Sequence, residues 1–199
     1  MSGEEKHILR FDQDDILVVA ATERELAPAS GWRTRCCGVG PVEAAAATAA
    51  AIAQHRPRAI LHVGIAGSRS RPVLEPPSLV IGAESVYCDV DPDNRWAPRT
   101  LTPSSLLLEA AQRVLPEALT LPIGTSARVG GTTGVDIEAM EGFAVLRAAQ
   151  LANIPAIEIR AISNEIGEPD RARWRFDEAF TAIISVTPRL VAEFAKCVT

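Results

Sequence analysis

The chain has 199 residues, 47% of them hydrophobic and 5% aromatic, enough for one domain with a full core of Ala, Val, Ile and Leu. A formal net charge of −5 argues against a nucleic-acid-binding surface. No apolar run is long enough to span a bilayer, and the opening MSGEEKHILRF lacks the apolar centre of a signal peptide. The four cysteines, Cys36, Cys37, Cys88 and Cys197, lack CxxC spacing, which speaks against a zinc site or disulfide framework. A reducing, cytoplasmic setting is expected.

Residues 1–15 are polar and read as a flexible N-terminal segment, leaving 16–199 as one domain. Ile16 to Ala21 is a continuous apolar run, the mark of a central strand buried on both faces. It leads into Thr22-Glu23-Arg24-Glu25-Leu26. The plain reading of its two acids is that they start a helix and complement its dipole. Gly38-Val39-Gly40-Pro41 lacks the third glycine of a dinucleotide fingerprint. A tight turn into an Ala-rich helix, Val42 to His55, is preferred there over a phosphate site, and an oxidoreductase reading is poor. Ala59 to Val63 predicts a strand. It is followed by a turn, Gly64-Ile65-Ala66-Gly67-Ser68, whose small residues let backbone N–H groups approach a ligand. His62 reads as a satisfied core histidine.

Leu79 to Ile81 and Glu84 to Val90 read as a strand and its continuation, and 91–103 as a loop. Trp96 in that loop is either a lid or partner contact, or simply packed. Ser104 to Val114 predicts an amphipathic helix with a serine cap. Leu121 to Val129 predicts a strand, and the glycine-rich 130–134 either binds an anion through its N–H groups or is a plain turn.

From Asp136 the period becomes helical: Ile137, Glu141, Ala144, Ala148 and Leu151 share one face. An unpaired buried charge is costly, so Glu141 has a structural partner or points into a polar cavity. Gly142 allows a backbone or ligand to come close, and Met140 makes a floor for a flat ligand. After Asn153, Pro155 opens a strand in which Ile157, Ile159 and Ala161 alternate with Glu158, Arg160 and Ile162. It ends at Ser163-Asn164, and ligands of open α/β sheets sit beyond the carboxyl ends of strands. Phe176 to Val198 predicts a final helix, broken near Pro188.

Met140-Glu141-Gly142 followed by Arg160-Ala161-Ile162-Ser163-Asn164 resembles the nucleoside phosphorylase/nucleosidase superfamily, with the closest likeness to futalosine hydrolases of menaquinone biosynthesis. The resemblance implies an α/β fold, a three-layer αβα sandwich with a twisted mixed sheet of the phosphorylase/hydrolase type, and makes 16–199 a nucleosidase-like domain. It implies hydrolysis of a purine nucleoside, with futalosine yielding hypoxanthine and dehypoxanthine futalosine. Other readings are a methylthioadenosine/S-adenosylhomocysteine nucleosidase, a purine nucleoside phosphorylase, or a degenerate nucleoside-binding protein. It also implies a homodimer or higher homo-oligomer, and neither metal nor organic cofactor.

Carried onto this chain, the resemblance assigns water activation to Glu25, with Glu23 the weaker choice. Glu141 would hold the ribose hydroxyls, and Asn164 would face the leaving purine. Ile65, Ala66, Gly67 and Met140 would line the sugar and base. Ile65 stands where the superfamily has a serine. Tyr87 or Asp89 would reach the pocket or a dimer partner. An amide at Asn164 offers a donor and an acceptor, which suits a 6-oxopurine. The connection 130–134 is shorter than in the relatives, which leaves a more open pocket, a larger substrate or lost activity.

Overall fold

The computed structural model describes residues 13–69, 74–91, 93 and 95–198. The loose N-terminal segment expected over 1–15 falls outside them except for Gln13–Asp15, which form one 3-10 turn. The strands are β1 (Ile16–Ala20), β2 (Arg33–Cys36), β3 (Ala59–Ser68), β4 (Leu79–Tyr87), β5 (Thr100–Leu101), β6 (Leu119–Thr125), β7 (Ile137–Ala139) and β8 (Ala156–Glu165). The helices are α1 (Pro41–His55), α2 (Ser105–Val114), α3 (Gly142–Leu151) and α4 (Phe176–Ala195).

The sheet is mixed and covered on both sides, which is why its central strands lack a polar face. Alternate residues of β1, β3 and β8 serve opposite cores. Val18, Leu61 and Ile159 pack under α2 and α4, while Leu17, Val19 and Ile60 pack under α1 and α3. The result is the expected αβα sandwich.

Part of the sheet closes on itself. β3 pairs with β8 and β8 with β4. From there β4 pairs with β6, β6 with β7, and β7 returns to β3. Each of these strands turns residues inward: Ala66, Val80, Ile123, Ile137 and Ile162 form a small separate core. β1 and β2 extend the sheet outward from β3.

Several expectations fail for identifiable reasons. Ile137 is not helical: it opens β7, which pairs with β6 and β3, so α3 begins only after Glu141. In α3 the whole first stretch from Gly142 to Leu146 is buried, as is Ala149, so Ala144 lies inside as expected, while Ala148 is half-buried and Leu151 is exposed. Gly64 to Ser68 is not a turn but the second half of β3, paired with β8 across one bulge. The alternation in β8 marks no exposed face, because Glu158 and Arg160 are buried and paired. Pro188 lies inside α4 without ending it. The loop 91–103 contains the short strand β5, and Trp96 is 96% exposed, so it is not simply packed.

Candidate active site

The cavity begins where β1 ends. Thr22 caps a single 3-10 turn, Glu23–Glu25. The Glu25 side chain folds back to the cap, as a third-position acid does in a capping box. Its Oε2 accepts from Thr22 N at 2.8 Å and Thr22 Oγ1 at 2.7 Å. Its Oε1 accepts from Ile65 N of β3 at 3.1 Å. Glu25 is buried while Glu23 is exposed, so only Glu25 reaches the interior.

Glu141 caps the other side. Its Oε1 accepts from Gly40 N at 3.1 Å. The Gly38-Val39-Gly40 turn, with both glycines at positive φ, thus spends an N–H on a carboxylate of the chain itself. Glu141 Oε2 lies 3.4 Å from Arg160 Nη2, so the structural partner expected of a buried acid exists. Arg160 is shared: its Nε donates to Glu158 Oε1 at 2.7 Å, and its Nη2 also meets His62 Nε2. His62 Nδ1 faces Val19 O at 3.0 Å, which fixes the tautomer with the proton on Nδ1.

These contacts set the charges. Burial raises the Glu141 pKa above the ordinary carboxylate value, and Arg160 and the Gly40 N–H only partly offset it. Burial opposes the Arg160 charge, but Glu158, Glu141 and Glu25 together outweigh it and raise its pKa. Burial and the Arg160 charge drive the His62 pKa down, so His62 is neutral. Burial, aided by Glu141, pushes the Cys37 thiol up to about 12, so it is no nucleophile.

The third wall is made by a bulge. Ala66 pairs with Ile162 but Gly67 pairs with Asn164, so Ser163 is an extra residue in β8. Bulges re-aim side chains next to sites, and here Ser163 and Asn164 both face the cavity. Asn164 Nδ2 donates to Glu165 O at 3.0 Å and its Oδ1 accepts from Ser163 Oγ at 2.8 Å. The carbonyl of Glu165 can only accept, so the amide cannot be turned the other way round. One N–H and one lone pair are left for a ligand.

Glu25, Glu141, Asn164, Met140, Ile65, Ala66 and Gly67 all line one cavity of about 370 Å³. Tyr87 and Asp89 do not line it. Tyr87 stacks on Phe143 at 5.1 Å, and Asp89 accepts from Ser126 Oγ and Ala127 N. Gly142 is a close-approach site, but for the Glu158 carboxylate rather than a ligand. The glycine-rich turn does hold an anion, and that anion is Glu138 of the same chain: its Oε1 accepts from Gly130 N at 2.6 Å and its Oε2 from Thr132 N at 2.9 Å.

Sequence reasoning missed Glu138, which also lines the cavity, and an aromatic wall of Trp174, Phe176 and Phe180. Those rings follow in series at 5.3 and 6.1 Å, the first pair tilted and the second stacked. The i, i+4 spacing of Phe176 and Phe180 was the available signal. Among the described residues no group of His, Cys, Asp and Glu could hold a metal ion, and no helix is long and apolar enough to cross a membrane.

The sequence pattern of the phosphorylase superfamily matches residues 34–130 and 125–196. The chain is 33% identical over 187 residues to the futalosine hydrolase of Streptomyces coelicolor, across 80% of this chain and 78% of that one. The solved futalosine hydrolase of Helicobacter pylori superposes with a TM-score of 0.79 at 18% identity, covering 89% of this chain and 97% of the other. The 5′-methylthioadenosine/S-adenosylhomocysteine nucleosidase of Colwellia psychrerythraea, solved with adenine, gives 0.77 at 20% identity, covering 92% and 95%. At those identities the two structures speak for the fold alone, and the sequence matches speak for descent. This chain belongs to the phosphorylase superfamily.

Proposed function

We propose that the chain is a nucleosidase that hydrolyses the N-glycosidic bond of a purine nucleoside, with futalosine as substrate. The observation that carries this reading is the convergence of Glu25, Glu141 and Asn164, from distant parts of the chain, on one cavity. The relative in Streptomyces adds the substrate.

In this reading Glu25 takes a proton from a water whose oxygen bonds to the sugar C1′. The bond from C1′ to the purine nitrogen breaks, and its electron pair leaves with hypoxanthine. The departing base takes its proton from solvent, because an amide is no general acid. Asn164 donates a hydrogen bond to the base edge instead. Glu141 faces the ribose hydroxyls and the positive charge that develops on the ring.

Water is favoured over phosphate as the attacking group. Phosphate sites use free backbone N–H groups in glycine-rich turns. Here Gly40 N, Gly130 N and Thr132 N all donate to carboxylates of the chain itself. A cytoplasmic homodimer belongs to the same reading: Val39 and Val129 line the cavity yet are 55% and 48% exposed, and a second copy would cover them.

The test is a panel of futalosine, inosine and methylthioadenosine assayed for free base, with and without inorganic phosphate. Hypoxanthine release from futalosine at a rate indifferent to phosphate is expected. Release only with phosphate makes the protein a phosphorylase, release of adenine alone makes it a methylthioadenosine nucleosidase, and binding without release makes it a non-catalytic binder.

A further inference from the structure

Glu138 lines the cavity, and the chemistry above gives it no task. It lies in β7, paired across the ladder with Gly67 of β3. Gly67 is paired on its other side with Asn164 of β8. The three form one row across adjacent strands, with no side chain at the centre. A strand spacing of about 4.8 Å puts the outer two Cα atoms about 9–10 Å apart. The floor between them has no side chain of its own, and Asn164 and Ile166 narrow it: a Cβ on Gly67 would come within 3.0 Å of both Asn164 Nδ2 and Ile166 Cγ1. A flat, fused-ring base held beside Gly67 would meet Asn164 at one edge and Glu138 at the other.

The Glu138 carboxylate is held by two backbone N–H groups, one on each oxygen. A carboxylate has about four acceptor positions, so each oxygen keeps a lone pair. A group that only accepts matches a base edge that donates. A 6-oxopurine carries a hydrogen on ring N1; a 6-aminopurine has a bare acceptor there. We propose that Glu138 is a specificity-determining residue that selects 6-oxopurines by accepting the N1–H. This rests on the proposed function for the orientation of the base, and extends it from one reading residue to two. The short 130–134 connection, which Glu138 ties down, then leaves this far edge of the base to a side chain.

The competing account is that Glu138 only braces the turn, and binding of free bases separates the two. Calorimetry would compare hypoxanthine, 1-methylhypoxanthine and adenine on the wild type and on Glu138→Gln. The wild type is expected to bind 1-methylhypoxanthine about 10- to 100-fold more weakly than hypoxanthine, the loss that follows from removing a buried hydrogen bond to a charged group. In Glu138→Gln that gap closes, and the preference for hypoxanthine over adenine shrinks with it. A wild type that tolerates the N1 methyl overturns the proposal, and this comparison stands even if the variant does not fold. Equal weakening of all three bases in the variant leaves only the brace and also overturns it. If bases are discriminated as expected but no nucleoside is cleaved, Glu138 stands and hydrolysis falls. If no base binds, the proposal for Glu138 falls, and hydrolysis is decided by the release assay alone.

Discussion

At the scale of single residues, the site depends on charges kept where water would normally be needed. Glu141 is 4% exposed, and burial raises its pKa despite Arg160 and Gly40. A carboxyl with a raised native pKa binds its proton more tightly folded than unfolded. Its ionisation therefore costs stability as pH rises from the ordinary carboxylate value through the raised one, and the cost is constant above that. Glu141→Gln keeps an acceptor for Gly40 N and removes the charge. It also takes the carboxylate partner away from Arg160, so only the pH dependence isolates the burial effect: the variant's melting temperature should rise relative to the wild type's as pH climbs through that window, and a difference independent of pH would contradict the account. The variant should lose base release.

Asn164→Asp tests the leaving-group side. The change places a carboxyl able to donate a proton where an amide can only hydrogen-bond. Release of adenine from adenine nucleosides should rise relative to release of hypoxanthine by on the order of 10²–10⁴-fold, the usual worth of general acid catalysis. An unchanged ratio would remove Asn164 from the base edge. Glu25, Glu141 and Asn164 were named from the sequence only through the resemblance carried by Met140-Glu141-Gly142 and Arg160 to Asn164, and the structure brings all three to one cavity. The burial of Glu158 and Arg160 was not legible. Their alternation with isoleucines is what a half-exposed strand looks like, and only the three-dimensional pairing at 2.7 Å lets both charges lie inside.

At the scale of elements, the legible parts were those whose period is local. β1, α1 and α2 follow from apolar runs and small residues, and each stands within a residue or two of its expected bounds, although Ser104 at the start of α2 makes no side-chain capping hydrogen bond. The illegible parts were those decided by neighbours. Residues 137–139 fit a helical period, but β6 and β3 recruit them as a strand. The bulge at Ser163, which turns Asn164 toward the cavity, leaves no trace in the order of residues.

Gly142 shows how tightly elements are fitted. It begins α3 directly over β8, and a Cβ there would run into the Glu158 carboxylate. That carboxylate is held by Arg160 at 2.7 Å and by Ser85 Oγ at 3.2 Å, so it has nowhere to go. Gly142→Ala should therefore destabilise by about 1–3 kcal/mol, an overpacking cost, although alanine is the better helix former. Urea unfolding measures it, and a stabilised variant would mean that Glu158 yields.

At the scale of the whole molecule, the sandwich was legible through the family resemblance, with the apolar run of β1 in keeping with it. The closure of β3, β8, β4, β6 and β7 into a ring was not, since it joins residues far apart in the chain. Closure means that none of these strands can leave without rupturing two ladders at once. Partial openings of the kind that release single edge strands are suppressed there. In heavy water the amides of β3 and β8 should exchange only through complete unfolding, while those of the two-residue β5 exchange far sooner; similar rates for both would refute this. The bottom of the hollow is thus a rigid plate, and whatever adjustment a bound molecule calls for falls to the rim, where the 130–134 connection and the aromatic start of α4 lie.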